Sequence, residues 1–233
     1  MVAFTSIEAP KYVDAGEGER LSRAERAALL IREHITEARL LAGTPLREVE
    51  LAGQLGVSRN TLREAFRMLG RDNLVSHSAH RGVYVSTPTE ETIIDIFRVR
   101  RIIECQAVIQ SDPGHPAVAR LHTALGKVLQ AKLDSDWQTV GTANIEFHAA
   151  IVALTASPRL THLFSTVSAE LRLVFGLFEA PEQLYLPFVG LKAEILGLIE
   201  SGNGERAASL LDEYLHSSEQ LLLQAYNQVA GKV

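Results

Sequence analysis

Residues 51–69, LAGQLGVSRNTLREAFRML, decide the fold. Leu51, Ala52 and Leu55 stand at the i, i+1, i+4 spacing of an apolar helical face. Gly56 stops that helix, because a residue without a Cβ takes a positive φ without strain. Ser58 opens a second helix by offering its hydroxyl to free N–H groups, and Glu64 follows in that helix's early turns. On the second helix Leu62, Ala65, Phe66 and Leu69 turn inward, which leaves Arg59, Asn60, Thr61, Arg63 and Arg67 on other faces. A helix locked against another, with arginines at the start of the second, is how a helix-turn-helix reads DNA. The plainer reading is an ordinary helical hairpin, and the flanking sequence has to separate the two.

Upstream, Ser22 and Glu25 form a capping box. The helix after it carries Ala27, Leu30, Ile31, Ile35 and Ala38 on one face and is expected to end before Gly43, where Thr44-Pro45-Leu46 makes a short extended link. Residues 1–20 mix Gly, Glu, Asp and Pro without periodicity and read as a mobile tail. Downstream the period changes. Residues 74–77 and 83–86 are short β-type runs joined by 78–82, which predicts a two-stranded wing with His80 and Arg81 at its tip and Gly82 in the turn. At His80 a groove contact stands beside a solvated loop histidine. Three helices plus a wing favour DNA over the plain hairpin.

Thr87-Pro88-Thr89 marks a boundary, so residues 21–87 read as a winged helix-turn-helix and 88–233 as a second domain. Helical segments are expected at about 90–111, 117–133, 136–154, 158–178, 181–201 and 204–226. The fold class is therefore mainly α: a winged helix-turn-helix with a small two-stranded wing, then an antiparallel bundle of about six helices.

The net charge of −5 conceals a split. Residues 20–85 hold 11 Arg, no Lys and 7 Asp plus Glu, a net +4, whereas 86–233 carry −6 and 1–19 carry −3. A basic segment joined to an acidic one suits a DNA reader with a separate second domain. Arginine's planar fork grips phosphate or guanine with two hydrogen bonds. The single cysteine, Cys105, sits in the apolar run IIECQAVI, reads as a small core residue and suits a reducing cytosol. With neither a signal peptide nor a membrane span expected, the location read from the sequence is cytoplasmic.

With these motifs in hand, the chain resembles the GntR family of bacterial repressors, and within it the FadR subgroup with the all-helical FCD ligand-binding domain. The residues that carry the resemblance are LREVELAGQLGVSRNTLREAFRMLGRDNLV, HRGVYV, VRRIIE and NIEFHAAI. The resemblance implies a recognition helix in the major groove of an operator and a wing in the adjacent minor groove. Carried over position by position, Arg59, Asn60, Thr61 and Arg63 are the recognition-helix contacts, Arg47 a phosphate contact, and His80, Arg81 and Gly82 the wing tip. Arg67 and Arg71 read as solvated or paired within the chain. A homodimer on two half-sites is implied, with affinity falling steeply as salt rises.

Many FCD domains bind a divalent metal through an Asp and three His, and the metal then takes a small carboxylate effector. Here the resemblance puts Asn144, His148, Lys192 and Tyr214 at those positions, so only His148 is a good ligand. No cofactor is expected, and a metal is disfavoured because Asn144, Lys192 and Tyr214 replace the family ligands. His216 groups with Ser209, Asp212, Glu213 and Gln220 on a polar face, while Tyr214 shares the stripe of Ala207 and Leu211. The replacement residues still fall on apolar stripes, which suggests a polar cavity; a packed core with a few satisfied polar groups is the alternative. Lys192 would then replace the metal's charge and hold a small organic acid, helped by His148, Tyr214 and Asn144. Arg100 is a second anchor, with Arg101 or Arg172 as substitutes.

The function expected is a DNA-binding regulator, in the repressing sense, governed by a small anionic metabolite. The alternative is a constitutive DNA binder whose bundle serves only dimerisation. An enzyme is not expected, since no nucleophile elbow, phosphate-binding glycine loop or paired catalytic carboxylates occur.

Overall fold

The computed structural model describes residues 21–78, 81–178 and 180–230, with the side chains at 229 and 230 left aside; the expected tail at 1–20 and His80 lie outside the described residues. The chain divides into two compact units between Thr87 and Pro88.

In the first unit, α1 (Arg23–Thr36) starts on the Ser22–Glu25 capping box. After β1 (Pro45–Leu46) come α2 (Glu48–Gln54) and α3 (Arg59–Arg71), then β2 (Val75–Ser78) and β3 (Gly82–Val85). Gly56, at φ +62°, makes the turn between α2 and α3, and Ser58 caps α3 by accepting the N–H of Thr61. Leu51 of α2, Ile31 and Ile35 of α1, and Leu62, Phe66 and Leu69 of α3 are fully buried. Burial of such side chains stabilises by roughly 1.5–3 kcal/mol each, and this locks α3 onto its neighbours.

Two local expectations change. Helix α1 stops at Thr36 instead of running on through Ala38. Ala38 takes a left-handed φ of 56°, and the N–H groups of Arg39 and Leu40 close back on the carbonyl of His34. The extended link also becomes a strand: Gly43 N and Thr44 O bond Val85, so β1 pairs antiparallel with β3 and the wing is a three-stranded sheet of order β1-β3-β2.

The second unit contains α4 (Glu90–Ile109), α5 (Ala117–Leu133), α6 (Trp137–Ala153), α7 (Pro158–Phe175), the short α8 (Glu182–Tyr185), α9 (Val189–Glu200) and α10 (Gly204–Ala230). One core runs through it, including Phe97, Leu121, Phe147, Ile151, Val174, Ile195 and Leu211. The expected fifth helix is broken: α8 gives way to a 3-10 turn, Leu186–Phe188, before α9 begins. Pro187 has no N–H for the carbonyl four residues back, so the ladder cannot continue through it. No helix among the described residues is long and apolar enough to cross a membrane.

Candidate nucleic-acid interface and buried polar centre

The first unit presents its candidate residues on the surface. Arg59, Asn60 and Arg63 are exposed on α3. The Thr61 hydroxyl lies 2.8 Å from that of Ser58, so it belongs to the helix cap. Arg63 donates from Nε to both oxygens of Glu48, at 3.1 and 3.0 Å, and Arg59 brings Nη2 to 3.6 Å from the same carboxylate. Glu48 thus holds both arginines at the start of α3. The sequence reading missed it, because the pairing joins two helices and shows no i, i+4 spacing. Arg47 is exposed at the start of α2, 3.7 Å from Glu50. In the wing Arg81 and Gly82 are exposed, Gly82 has φ +100°, and the Tyr84 hydroxyl donates to the carbonyl of Arg81. Arg67 pairs with Glu64, and Arg71 is exposed.

In the second unit the candidates converge in the interior. Arg100, Asn144, His148, Lys192 and Tyr214 are each at most 4% exposed. Lys192 Nζ lies 3.4 Å from the Tyr214 hydroxyl, which is 2.9 Å from His148 Nε2 and 3.3 Å from Asn144 Oδ1. The rings of His148 and Tyr214 stack at 5.2 Å, and Lys192 stands over the Tyr214 ring at 4.9 Å. At the centre is Glu104, fully buried, with Oε1 2.7 Å from Arg100 Nε and Oε2 2.6 Å from His148 Nδ1. It too escaped the sequence reading, although an Arg and a Glu four apart in the apolar run of α4 were a usable signal. His216 is exposed, as its polar face implied.

The electrostatics follow from burial. Burial pushes the His148 imidazole down to about 4, and the charges of Arg100 and Lys192 add to this against the pull of Glu104. His148 is therefore neutral near pH 7, donating from Nδ1 to Glu104 and accepting at Nε2 from Tyr214. Burial also brings the Lys192 ammonium down to about 7, with Arg100 in the same sense and Glu104 opposing. Burial opposes ionisation of Glu104, yet Arg100 and His148 hold its carboxyl below the usual range. One carboxylate thus faces one permanent cation and one lysine poised between charge states.

The alternative arginines lie elsewhere. Arg101 pairs with Glu219 of α10. Arg172 is buried against α6, where Nη2 donates to the carbonyl of Gln138 and Nη1 lies 3.3 Å from the Tyr185 hydroxyl. Gly141 makes room for it, since a Cβ there would stand 1.9 Å from Arg172 Nη1. Cys105 is half-buried beside the core, and burial raises its thiol to about 12.

Arg100 has a second face. Its Nη2 has no hydrogen-bond partner among the described residues. With Asn144, His148 and Ser168 it borders a crevice between α6 and α7 that is too narrow for a water molecule.

Comparison with known proteins matches residues 23–85 to bacterial regulatory proteins of the gntR family and 95–217 to the FCD domain. The chain is similar to the "Probable D-xylose utilization operon transcriptional repressor" of Paenarthrobacter nicotinovorans, 24% identical over 68% of this chain and 72% of that protein. It is also similar to the galactonate operon transcriptional repressor of Escherichia coli strain K12, 24% identical over 66% of this chain and 76% of that one. A solved structure described as a GntR transcriptional regulator from Rhodococcus sp. RHA1 is 37% identical and superposes with a TM-score of 0.82 over 88% of this chain and all of its own.

Proposed function

Because the chain belongs to the GntR family and carries an FCD domain, so that it is a transcriptional regulator rather than an enzyme, we propose that it is a repressor whose hold on its operator is set by a small organic anion bound among the helices of the second unit. The carrying observation is the excess of positive charge around Arg100 and Lys192, buried at 1% and 2% exposure with Glu104 as the acidic partner. A buried cation without full compensation is costly, and an arriving anion relieves that cost.

The pocket is proposed to work without a metal. The support is the donor set: one imidazole whose two nitrogens already face Glu104 and Tyr214, one amide, one phenol and one amine. An ammonium repels a divalent ion, and among the described residues no three His, Cys, Asp or Glu gather as ligands. Metal analysis of protein purified without chelator tests this, and a stoichiometric ion defeats it.

The narrowness of the crevice supports a switching role. An effector has to part helices to enter, so it distinguishes closed from open arrangements, which is the condition for shifting an equilibrium. A homodimer completes the proposal, supported by Ile102 and Ile109, exposed two turns apart on α4. Calorimetry with small organic acids on the wild type and on Lys192→Ala tests the pocket. An acid that binds both equally removes Lys192 from it. An operator gel shift insensitive to every bound acid would favour a constitutive DNA binder.

A further inference from the structure

Resting on the reading that the second unit takes an organic anion, we infer that the effector is a monocarboxylate with an apolar body, inserted between α6 and α7 with its carboxylate on Arg100 Nη2. Arg100 lines the crevice at 1% exposure; its Nε is committed to Glu104, while its Nη2 has no acceptor among the described residues. A guanidinium presents its donors in a fixed plane, so occupation of Nε by one carboxylate still leaves the Nη2 donors for a second acceptor. An unmade hydrogen bond at a buried charged donor is costly, which gives an incoming carboxylate oxygen its advantage.

The rest of the ligand is specified by the walls. Away from the polar centre the crevice is formed by Ile145 of α6 and by Phe164, Val167 and Leu171 of α7, with Ser168 as the hydroxyl on that helix. Ile145, Phe164, Val167 and Leu171 are all buried, so parting α6 from α7 opens a slot with apolar sides. Arg100 is the one cationic side chain that lines the crevice and Glu104 already takes part of its charge, so a second carboxylate on the ligand would find no counter-ion among the lining residues. A polyhydroxylated acid would set several hydroxyls against these walls without partners, each at a desolvation cost. An alkyl or aryl body incurs none.

The experiment is calorimetry on the full chain with two series of equal charge: straight-chain alkanoates from acetate to octanoate, and polyhydroxy acids represented by gluconate. Alkanoate affinity is expected to rise about fourfold per methylene until the slot is full. Hexanoate, with as many carbons as gluconate, is expected to bind at least about tenfold more tightly. Arg100→Gln is expected to abolish binding across the series. Val167→Ala is expected to move the optimum to a longer chain, a shift that damaged folding cannot produce. Gluconate binding as tightly as hexanoate overturns the apolar class while the anion reading stands. An unmoved optimum in Val167→Ala overturns the position between α6 and α7. Failure of the alkanoates to bind overturns the apolar class, and failure of the wider panel of small organic acids overturns the anion reading itself.

Discussion

The two units hold their charges in opposite ways. In the first, the arginines at the start of α3 lie exposed, linked to one another through Glu48 by contacts that solvent can replace. In the second, Arg100, Glu104 and Lys192 are sealed among hydrophobic side chains. Exposed pairs contribute little to stability, so Arg59 and Arg63 can exchange Glu48 for another anion at low cost. Buried charges contribute to stability only as a matched set, so a change of one member is felt throughout the unit. The exposed pairs rearrange at low cost, and the buried set resists any change of its members.

The largest test of this contrast is Glu104→Ala, which leaves Arg100 buried without its carboxylate. A loss of about 3–5 kcal/mol in urea unfolding of the second unit is expected, and a loss below 1 kcal/mol would erase the distinction between the units.

Lys192→Met sharpens the contrast from the other side, because it replaces a desolvated amine with an apolar chain of similar size. Stability near pH 7 is expected to rise by about 1–4 kcal/mol. The sign with pH is also fixed. The folded amine titrates near 7 and the unfolded one near 10.5, so the unfolded state binds the extra proton between them. Wild-type stability attributable to this group therefore increases as pH rises from about 7 to 10.5, and Lys192→Met should lack that slope. Anion binding, which favours the protonated amine, should weaken as pH rises through about 7 in the wild type.

On the exposed side, Arg63→Ala is expected to weaken operator binding by about 1–3 kcal/mol, read by fluorescence anisotropy, without a comparable change in unfolding. The smallest effect falls to Glu48→Gln. Removing this carboxylate takes a negative charge from beside the DNA and frees Arg63 from its fixed plane. Binding to random DNA should therefore rise a few-fold while the preference for the operator falls, with stability changed by no more than about 1 kcal/mol. Equal gains on both DNAs would show that Glu48 does not orient the arginines.

What the sequence made legible follows from periodicity. Leu62, Ala65, Phe66 and Leu69 were assigned inward from spacing alone, as were the inward Tyr214 and outward His216, because burial repeats with the helical turn. The same logic placed Asn144, His148 and Lys192 in the core before anything joined them. Glu104 and Glu48 were missed for a common reason. Each joins its helix to another, His148 lying 44 positions from Glu104 and Arg63 lying 15 from Glu48, and no local pattern encodes those distant partners; only the Arg100–Glu104 spacing within α4 left a trace in the sequence. The misplaced end of α1 and the break at Pro187 are local in origin: Ala38 carries a backbone conformation that composition does not announce, and Pro187 acts by withholding a donor.

The closed crevice has a consequence in time. A site with no room for even one water cannot be entered at the pace of diffusion. On the proposed reading an effector has to wait for α6 and α7 to separate, so at high concentration its capture rate should level off at the rate of that opening.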